Sequence, residues 1–433
     1  MVSKILVLNV PAYGHVNPTL PVVGELVTRG EHIVYYLTEE FEPQVRHSGA
    51  TFRRVNGIQH RFRIPPGIAP GLQANDSNLQ QRMATFFVPM MTDSLRLVPR
   101  LIDRVKAEEA DYIVYGRICL WGRALAELLG LPAIAFSPTY AMNEHSPLRR
   151  QMSSRWSSIL NGELSGAAAQ AMSEFQETSK DLHERYGLSP IEPTNLFATE
   201  EELNIVTLPR QFQPDADAFD ERYVFVGPCI APRSDESTFP LDKLTGRPLL
   251  YISLGTVFNT NPRFYAACFD AFANSDWQVV LSIGTSIDPS SLGQTPNNFV
   301  ISPHLPQLEI LQNADMFITH GGMNSTMEAI YYGVPMVVVP QQPEQAMTAA
   351  RIAELGLGIS LEPEQVSAST MRDAVNAVSD DASYRSRVAH MQKAARDAGG
   401  YLRAADAVQQ FGYQHSAAKK KSKSSPRSRH REG

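Results

Sequence analysis

Short runs of apolar residues alternate with amphipathic segments along almost the whole chain, and this alternation constrains the fold most strongly. The runs KILVLNV, HIVYYL, DYIVY and PAIAF in the first half have the length and branched side chains of buried strands. The second half repeats the pattern with PLLYISL, WQVVLSI, NFVIS, DMFITH and PMVVVP. Strands that alternate with helices pair in parallel sheets, so we expect an α/β fold. The predicted helices are residues 17–28, 119–129, 262–273, 323–332, 344–354 and 371–378.

A chain of 433 residues is long enough for two such α/β halves. The segment GPCIAPRSDESTFPLDKLTGRP separates them, because it is rich in Pro, Gly, Ser and Asp and has no period. We expect a first domain over 1–228, a linker over 229–248 and a second domain over 249–382. Residues 383–414 should form helices that cross back to the first domain, and 415–433 a basic disordered tail.

The distribution of charge and cysteine excludes several classes of protein. The last 18 residues carry seven Lys or Arg and one acid, Glu432, which gives this tail a formal charge of +6. Because the whole chain has a formal charge of −6, the rest of it carries −12, which argues against a nucleic-acid partner. Three cysteines lie far apart without the spacing of a metal site or a disulfide framework, which is typical of a cytoplasmic protein. No apolar run reaches the roughly 18 residues of a membrane span, so we expect no membrane insertion.

One segment, DMFITHGGMNSTMEAIYYG, joins a strand to a helix through two glycines. Gly321 and Gly322 allow a ligand to approach the backbone closely, and the free N–H groups of a helix N-terminus attract an anion. Asn324 and Ser325 add polar donors on the first turn. Such a site can hold a diphosphate without a metal ion. The alternative is that these residues simply cap a helix.

Two neighbouring residues favour the binding site over the cap. His320 ends the strand at its carboxyl edge, where open α/β sheets bind ligands. Glu328 lies just over one helical turn beyond Asn324, where a carboxylate can accept hydrogen bonds from ribose hydroxyl groups. The segment therefore predicts a nucleotide-sugar site.

The motifs HLPQ, HGGMNSTMEA, GVPMVVVP and PEQ resemble the donor signature of the family 1 inverting glycosyltransferases, in the branch of the bacterial macrolide glycosyltransferases. The resemblance extends from the N-terminal PAYGHVNPTLPVVGEL through YVFVGP and YISLGTVF to the last helices. It implies the GT-B fold, in which two Rossmann-like domains with parallel sheets face a central cleft. It also implies transfer of a sugar, with glucose as the default, from a UDP-sugar to a hydroxyl group of a hydrophobic small molecule, without a metal or other cofactor.

The resemblance also assigns roles to single residues. Gln307 and the backbone near Leu305 would contact the uracil, and His304 stands where the family often has an aromatic ring against the base. Glu328 would bind the ribose. The residues expected at the pyrophosphate are His320, Gly322, Asn324, Ser325 and Thr256, and those expected at the sugar hydroxyls are Glu344 and Gln345.

His15 follows the first strand and occupies the position of the family's catalytic base. Without the resemblance, a lone histidine there would more often be structural. Family members usually end the strand DYIVY with an aspartate that bonds this histidine, whereas this chain has Gly116. Asp111 lies about 16 Å away along the strand at about 3.3 Å per residue, so it should not substitute.

Three explanations for Gly116 stay open: a weakened or specialised enzyme, a substitute group such as Glu144 or His145, or a variant sequence. We predict that Gly116→Asp raises the transfer rate, most of all to alcohols. We also predict that His15→Ala abolishes transfer to hydroxyl groups and leaves donor binding intact.

The acceptor is expected against residues 57–95 of the first domain, which contain several Met and aromatic residues. Such a cluster could equally be plain core. A soft, roomy pocket would suit a macrolide, a flavonoid or another phenol. The expected lining residues are Phe86, Phe87, Met90, Tyr140 and Met142.

Two alternative functions stay open at this point. Gly116 favours a catalytically weakened or non-catalytic nucleotide-sugar-binding homologue, although His15, Glu344 and Gln345 are present. The basic tail favours a lipid or sterol glucosyltransferase that works at a membrane surface.

Overall fold

A computed structural model describes residues 2–57, 77–161, 164–191, 200–231, 244, 246–255 and 261–424 of the chain. Its described part contains two sheets of parallel strands. Every strand pairing recorded within either sheet is parallel, as the alternation of strands and helices predicts. The α/β fold is thus confirmed.

The first sheet has the strand order β3-β2-β1-β4-β5-β6-β7. Its strands are β1 (Lys4–Leu8), β2 (His32–Leu37), β3 (Thr51–Arg54), β4 (Tyr112–Gly116), β5 (Ala133–Ser137), β6 (Leu203–Val206) and β7 (Tyr223–Phe225). The accompanying helices are α1 (Tyr13–Val16), α2 (Thr19–Thr28), α3 (Glu42–His47), α4 (Ser77–Arg96), α5 (Val98–Lys106), α6 (Leu120–Leu129), α7 (Pro147–Asn161) and α8 (Gly166–Tyr186).

Both faces of this sheet are covered. Leu6 and Leu8 of β1 pack into a core with α4, α5 and α6, whereas Ile5 and Val7 point into a second core with α2. A strand that is buried on both faces needs apolar residues at every position, which explains the continuous apolar run in the sequence.

The second sheet has the order β10-β9-β8-β11-β12-β13. Its strands are β8 (Leu249–Ser253), β9 (Gln278–Ser282), β10 (Phe299–Ser302), β11 (Met316–Thr319), β12 (Met336–Val338) and β13 (Gly358–Ser360). Its helices are α9 (Pro262–Phe272), α10 (Gln307–Leu311), α11 (Met323–Tyr332), α12 (Pro343–Glu354) and α13 (Ala368–Asp380). The limits predicted for the two domains and the linker stay predictions, and 232–243 and 245 of the linker lie outside the described residues.

The last two helices, α14 (Ala382–Asp397) and α15 (Gly400–Ser424), join the two halves. The chain turns between them at Gly399 and Gly400, both with positive φ. Helix α14 packs with α11, and α15 packs on α2, where Val408 enters the core of the first sheet. Arg29, the C-cap residue of α2, donates a hydrogen bond of 2.6 Å to the carboxylate of Asp406.

The prediction of a disordered tail from residue 415 is wrong for residues 415–424, which continue α15. Alanine and lysine, which dominate this stretch, favour the helix, and extending an existing helix avoids the unfavourable nucleation step. Residues 425–433 lie outside the described part of the chain.

Candidate active site at the switch points of the two sheets

In each sheet the chain proceeds outward in both directions from two central strands, β1 and β4 in the first sheet and β8 and β11 in the second. The loops that leave these strands diverge, which opens a crevice at the carboxyl edge of the sheet. His15 and Arg117 follow β1 and β4, and His320 follows β11. The fold therefore places a histidine at the switch point of each sheet.

Helix α11 begins at the switch point of the second sheet, directly after the glycine pair. Gly322 is the N-cap residue, and no side chain in the described residues caps this helix. Gly321 has φ +77°, and a Cβ atom there would lie 2.6 Å from Val338 Cγ1. A Cβ atom on Gly322 would overlap the His320 ring. Both positions thus need glycine, and uncapped N–H groups at a helix N-terminus can bind an anion.

His320 is held close to the backbone of this site. A Cβ atom on Gly255 would lie 2.7 Å from His320 Cε1, so the ring packs against the turn after β8. Nδ1 of His320 is buried and has no hydrogen-bond partner among the described residues. Burial lowers the pKa of His320 to about 4, so the imidazole is neutral at pH 7. Thr256, which was expected at the pyrophosphate, lies outside the described residues.

Glu328 is the centre of a hydrogen-bond network that joins α10 to α11. The residue as a whole is 1% exposed, and its carboxylate accepts hydrogen bonds from Gln307 Nε2 at 2.5 Å and from Asn324 Nδ2 at 2.8 Å. Gln307 Nε2 also donates to Ser325 Oγ at 3.1 Å, and its Oε1 accepts from Tyr251 at 3.2 Å. The structure thus brings these predicted donor residues together. Each carboxylate oxygen can accept a further hydrogen bond from a ligand.

The remaining donor residues border this network. His304 is exposed, Leu305 is half-buried, and the His304 carbonyl accepts a hydrogen bond of 2.8 Å from Ser302. Gln345, in the first turn of α12, accepts a 2.7 Å hydrogen bond from the Gln341 backbone through its Oε1. Its amide oxygen therefore already supports the turn that enters the helix.

Glu344 also lies in the first turn of α12, where it faces the first half of the chain. Its Oε1 accepts a hydrogen bond of 3.4 Å from Thr139, in the loop after β5. The residue as a whole is exposed, yet the protein around its carboxyl group raises the pKa above the ordinary value by desolvation. Arg117 has the opposite effect on this pKa, because its positive charge stabilises the carboxylate.

His15 lies on the short helix α1, and its backbone carbonyl accepts a hydrogen bond of 3.0 Å from Asn9. Its Nδ1 atom is buried and has no hydrogen-bond partner among the described residues. Burial, and next the positive charge of Arg117, lower the pKa of His15 to about 4. The imidazole is therefore a neutral but weak base at pH 7.

An amide occupies the place of the expected carboxylate partner. A Cβ atom on Gly116 would overlap the side-chain oxygen of Asn9. Neither Glu144 nor His145 bonds the imidazole of His15 at Nδ1, which has no hydrogen-bond partner among the described residues. The two side chains are exposed and lie 3.4 Å from each other.

Arg117 is the functional candidate that sequence reasoning missed. It is 6% exposed, and its backbone N–H donates to the Phe136 carbonyl at 2.9 Å as the chain leaves β4. Burial lowers the pKa of its guanidinium to about 10, so the group is still a cation at pH 7. Its place directly after a strand at the switch point was the signal that could have identified it.

The expected acceptor residues fall into two groups. Phe86, Phe87 and Met90 lie half-buried on α4, and α4 shares a core with Ala12 of the loop that precedes His15. They therefore stay candidates for lining the acceptor site. The neighbouring residues 58–76 lie outside the described part.

Tyr140 and Met142, in contrast, are packing residues. Tyr140 is 3% exposed and stacks on Phe212 with ring centroids 6.0 Å apart, and Met142 is 7% exposed. A second-half residue, Arg351 of α12, donates to the Phe212 carbonyl at 3.0 Å. The prediction that Tyr140 lines an acceptor pocket is therefore wrong, because its ring is buried where the two halves of the chain meet.

Two further features of the described residues bear on other functions. No group of three or more His, Cys, Asp or Glu side chains in the described ranges is arranged to hold a metal ion. Within the same ranges, none of the helices combines the length and the apolar character that a bilayer crossing requires.

Comparison with known proteins gives consistent similarities over nearly the whole chain. Residues 266–398 match the family described as erythromycin biosynthesis protein CIII-like, C-terminal domain. The chain is 41% identical to the NDP-glycosyltransferase YjiC of Bacillus subtilis (strain 168), over 94% of this chain and 97% of YjiC. It is 30% identical to the oleandomycin glycosyltransferase of Streptomyces antibioticus, over 94% and 90% of the two chains. The solved structure of CalG4, the calicheamicin glycosyltransferase, is similar with a TM-score of 0.76 and 33% identity, over 95% of this chain and 98% of CalG4.

Proposed function

Because the chain belongs to the family 1 glycosyltransferases, in the branch of the bacterial macrolide glycosyltransferases, we propose that it transfers the sugar of a UDP-sugar to a hydroxyl group of a hydrophobic small molecule. Glucose is the default sugar. The observation that carries this proposal is the buried carboxylate of Glu328, which Gln307 and Asn324 hold beside the N-terminus of α11.

The donor would lie across the switch point of the second sheet. Gln307 contacts the uracil, Glu328 accepts hydrogen bonds from the ribose hydroxyl groups, and the diphosphate meets the N–H groups at the start of α11. Neutral His320 donates a hydrogen bond to a phosphate oxygen rather than adding a charge. The helix N-terminus stabilises the charge that develops on the departing diphosphate, so the reaction proceeds without a metal ion.

The reaction proposed is an in-line displacement that inverts the anomeric carbon. The acceptor oxygen forms a bond to that carbon, and the bond from the carbon to the diphosphate oxygen breaks with its electron pair leaving on UDP. His15, across the cleft, takes the proton of a neutral acceptor hydroxyl. Glu344 accepts hydrogen bonds from the sugar, with Thr139 at its other side.

A cytoplasmic location is proposed as well. Cys119, Cys229 and Cys268 are free, buried thiols, and such a set fits a reducing compartment. The macrolide, flavonoid and simple phenol classes of acceptor all agree with half-buried apolar residues on α4.

Turnover tests the proposal directly. The protein is incubated with UDP-glucose and a panel of phenols and alcohols, and products are identified by mass spectrometry and by the anomeric configuration in NMR spectra. The expected result is a β-glucoside from the α-configured donor. If UDP binds and no acceptor yields a glucoside, the chain is a non-catalytic nucleotide-sugar-binding homologue. A product with retained configuration would contradict direct displacement.

A further inference from the structure

Helix α12 meets the first half of the chain near both of its ends. In its first turn, Glu344 accepts the hydrogen bond of 3.4 Å from Thr139 in the loop after β5. Arg351, in the last turn, lies about 10 Å further along the helix at about 1.5 Å per residue and contacts the segment after β6. Strands β1, β5 and β6 are parallel members of one sheet, so these loops share its carboxyl edge with His15. The helix that would hold the sugar therefore rests on the edge that carries the expected base.

Arg351 bonds three successive backbone carbonyl groups of the first half. Its Nε donates to the Phe212 carbonyl at 3.0 Å, and its Nη2 donates to the carbonyls of Gln211 at 3.0 Å and Gln213 at 3.5 Å. Its Nη1 pairs with Glu354 at 2.9 Å, and the Arg351 side chain is 15% exposed. A guanidinium can make all these contacts together, because it presents five N–H donors in a fixed plane. Arg351 thus holds the last turn of α12 on the segment after β6.

Apolar packing and a side-chain amide make this contact stiff. Ala349 and Ile352 of α12 are buried in the same core as Phe212. The side chain of Gln213 accepts a hydrogen bond of 2.8 Å from the Ala141 N–H group and donates one of 3.2 Å to the Ala141 carbonyl, which joins the loops after β5 and β6. Close-packed interiors transmit a displacement instead of absorbing it. The two loops and the second half of α12 therefore form one packed unit.

In the proposed reaction, the two halves of the chain hold the two reacting groups, the acceptor on the first and the sugar on the second. In-line attack needs the reacting atoms within about 3–3.5 Å, and a misplacement of about 1 Å can lower the rate about 100-fold. On the basis of the proposed function, we propose that Arg351 is a positioning residue for transfer. Its bonds to the carbonyls of residues 211–213 fix α12 on the first half, and the first turn of α12 then sets how far the sugar lies from the acceptor.

This role separates transfer from nucleotide binding. The proposed nucleotide site is formed by α10 and α11, whereas Arg351 acts on α12. Loss of the Arg351 bonds should therefore slow transfer and leave UDP binding nearly unchanged. A looser contact between the halves also admits water to the cleft, and exclusion of water is what protects a reactive donor from hydrolysis. A larger share of the UDP-glucose should then be hydrolysed to free glucose.

The test compares the wild-type protein with Arg351→Gln, using UDP-glucose and the acceptor that the wild type glucosylates fastest. Transfer is expressed as kcat per UDP-binding site, so that unfolded protein does not count, and the ratio of free glucose to glucoside is measured in the same reaction. In Arg351→Gln, kcat should fall about 10- to 100-fold and the ratio should rise about tenfold, while the UDP binding constant stays within about twofold. Wild-type kcat, an unchanged ratio, or UDP binding weakened tenfold would overturn the inference, even if the free energy of unfolding falls.

Two control variants separate the carbonyl bonds from charge and from the ion pair. Glu354→Gln removes the partner of Arg351 Nη1, whose side chain is 67% exposed, and leaves the bonds to the three carbonyls in place. Arg385→Gln makes the same chemical change as the test variant at an exposed position of α14. Both variants should keep the wild-type kcat and the wild-type ratio of glucose to glucoside. A loss in Glu354→Gln equal to that in Arg351→Gln would assign the effect to the ion pair and overturn the inference.

Arg351→Lys keeps the positive charge and lacks the planar fork, so it should fold and still lose part of the effect on transfer. Its kcat should be lower than that of the wild type and its ratio of glucose to glucoside higher. If Arg351→Gln does not fold, this variant decides, and wild-type values in it would overturn the inference. Failure of the wild-type protein to glucosylate any acceptor would instead reject the proposed function. Normal turnover that is insensitive to Arg351 rejects the positioning role alone.

Discussion

The side-chain oxygen of Asn9 occupies the space that a Cβ atom on Gly116 would need. Leu8 and Tyr115 are partners in the pairing of β1 with β4, so Asn9 and Gly116 lie side by side just where the two strands end. The Asn9 amide also donates hydrogen bonds to the His15 carbonyl and to the Tyr35 hydroxyl. Asn9 thus lies where an aspartate partner was expected. It supports the segment that carries His15 through a hydrogen bond to the His15 backbone.

This relationship changes what is expected of Gly116→Asp. A side chain at position 116 must displace the Asn9 amide, so Gly116→Ala and Gly116→Asp should both lower the free energy of unfolding by about 1–3 kcal/mol. Urea denaturation at pH 7 measures this loss. Wild-type stability in both variants would show that Asn9 moves aside without cost.

Comparison of these two variants isolates the carboxylate, because both carry the same added Cβ atom. If the aspartate can complete a dyad, Gly116→Asp should transfer to alcohols faster than Gly116→Ala does, since a carboxylate stabilises the imidazolium of His15. The measurement is kcat/KM with an alcohol and with a phenol at saturating UDP-glucose. Equal rates in the two variants would mean that a carboxylate at 116 does not reach His15.

His15→Ala should separate transfer from donor binding. Loss of a general base costs about 10²–10⁴ in rate with neutral hydroxyl acceptors, whereas the binding constant for UDP should stay within about twofold, since the donor site belongs to the second sheet. Calorimetric titration of UDP and product assays with the same preparation check both values. Unchanged turnover with an alcohol acceptor would show that His15 is not the base.

Glu328→Gln should weaken UDP binding by about tenfold or more. The substitution replaces a buried charged acceptor with an amide whose N–H group faces the donors of Gln307 and Asn324, and hydrogen bonds to charged groups contribute about 1.5–3 kcal/mol. Glu309→Gln is a matched control, because Glu309 is exposed on α10. Equal UDP affinities for the two variants would show that Glu328 does not contact the nucleotide.

The free energy of unfolding should decrease as the pH is lowered from about 6.5 to about 4. Desolvation by the surrounding protein lowers the pKa values of His15 and His320 to about 4 in the folded state, whereas in the unfolded chain they titrate near pH 6.5. In this window the unfolded chain binds more protons, so the free energy of unfolding decreases by about 1.4 kcal/mol per pH unit for each histidine. Urea denaturation of the wild type, His15→Gln and His320→Gln at pH 7, 6 and 5 checks the slope. A variant slope equal to that of the wild type would contradict the assignment for that histidine.

The sequence predicted the elements whose burial leaves a strong pattern. Strands such as β1 and β11 are apolar except for Lys4 at the start of β1 and Thr319 at the end of β11, and the helix predicted over 323–332 is α11 with the same limits. It missed short strands such as β7 and β13, each of three residues. Three residues are too few to show a period. These short strands are ordered by pairing with neighbouring strands and not by a pattern in their own sequence.

The donor site could be predicted because its parts are close in sequence. Asn324 and Glu328 are four residues apart on one helix, so their contact follows from helical geometry. Arg117 and Glu344, in contrast, are on different halves of the chain, and only the packing of those halves shows that they interact. The same applies to Tyr140, whose burial against Phe212 depends on how α12 packs.

A crystal structure of the protein with UDP bound tests the central claim most directly. The account predicts the uracil beside Gln307, the ribose hydroxyl groups on Glu328, and the diphosphate at the N–H groups of Met323 and Asn324 that begin α11. A diphosphate bound at the switch point of the first sheet, or ribose hydroxyl groups out of hydrogen-bond reach of Glu328, would contradict it.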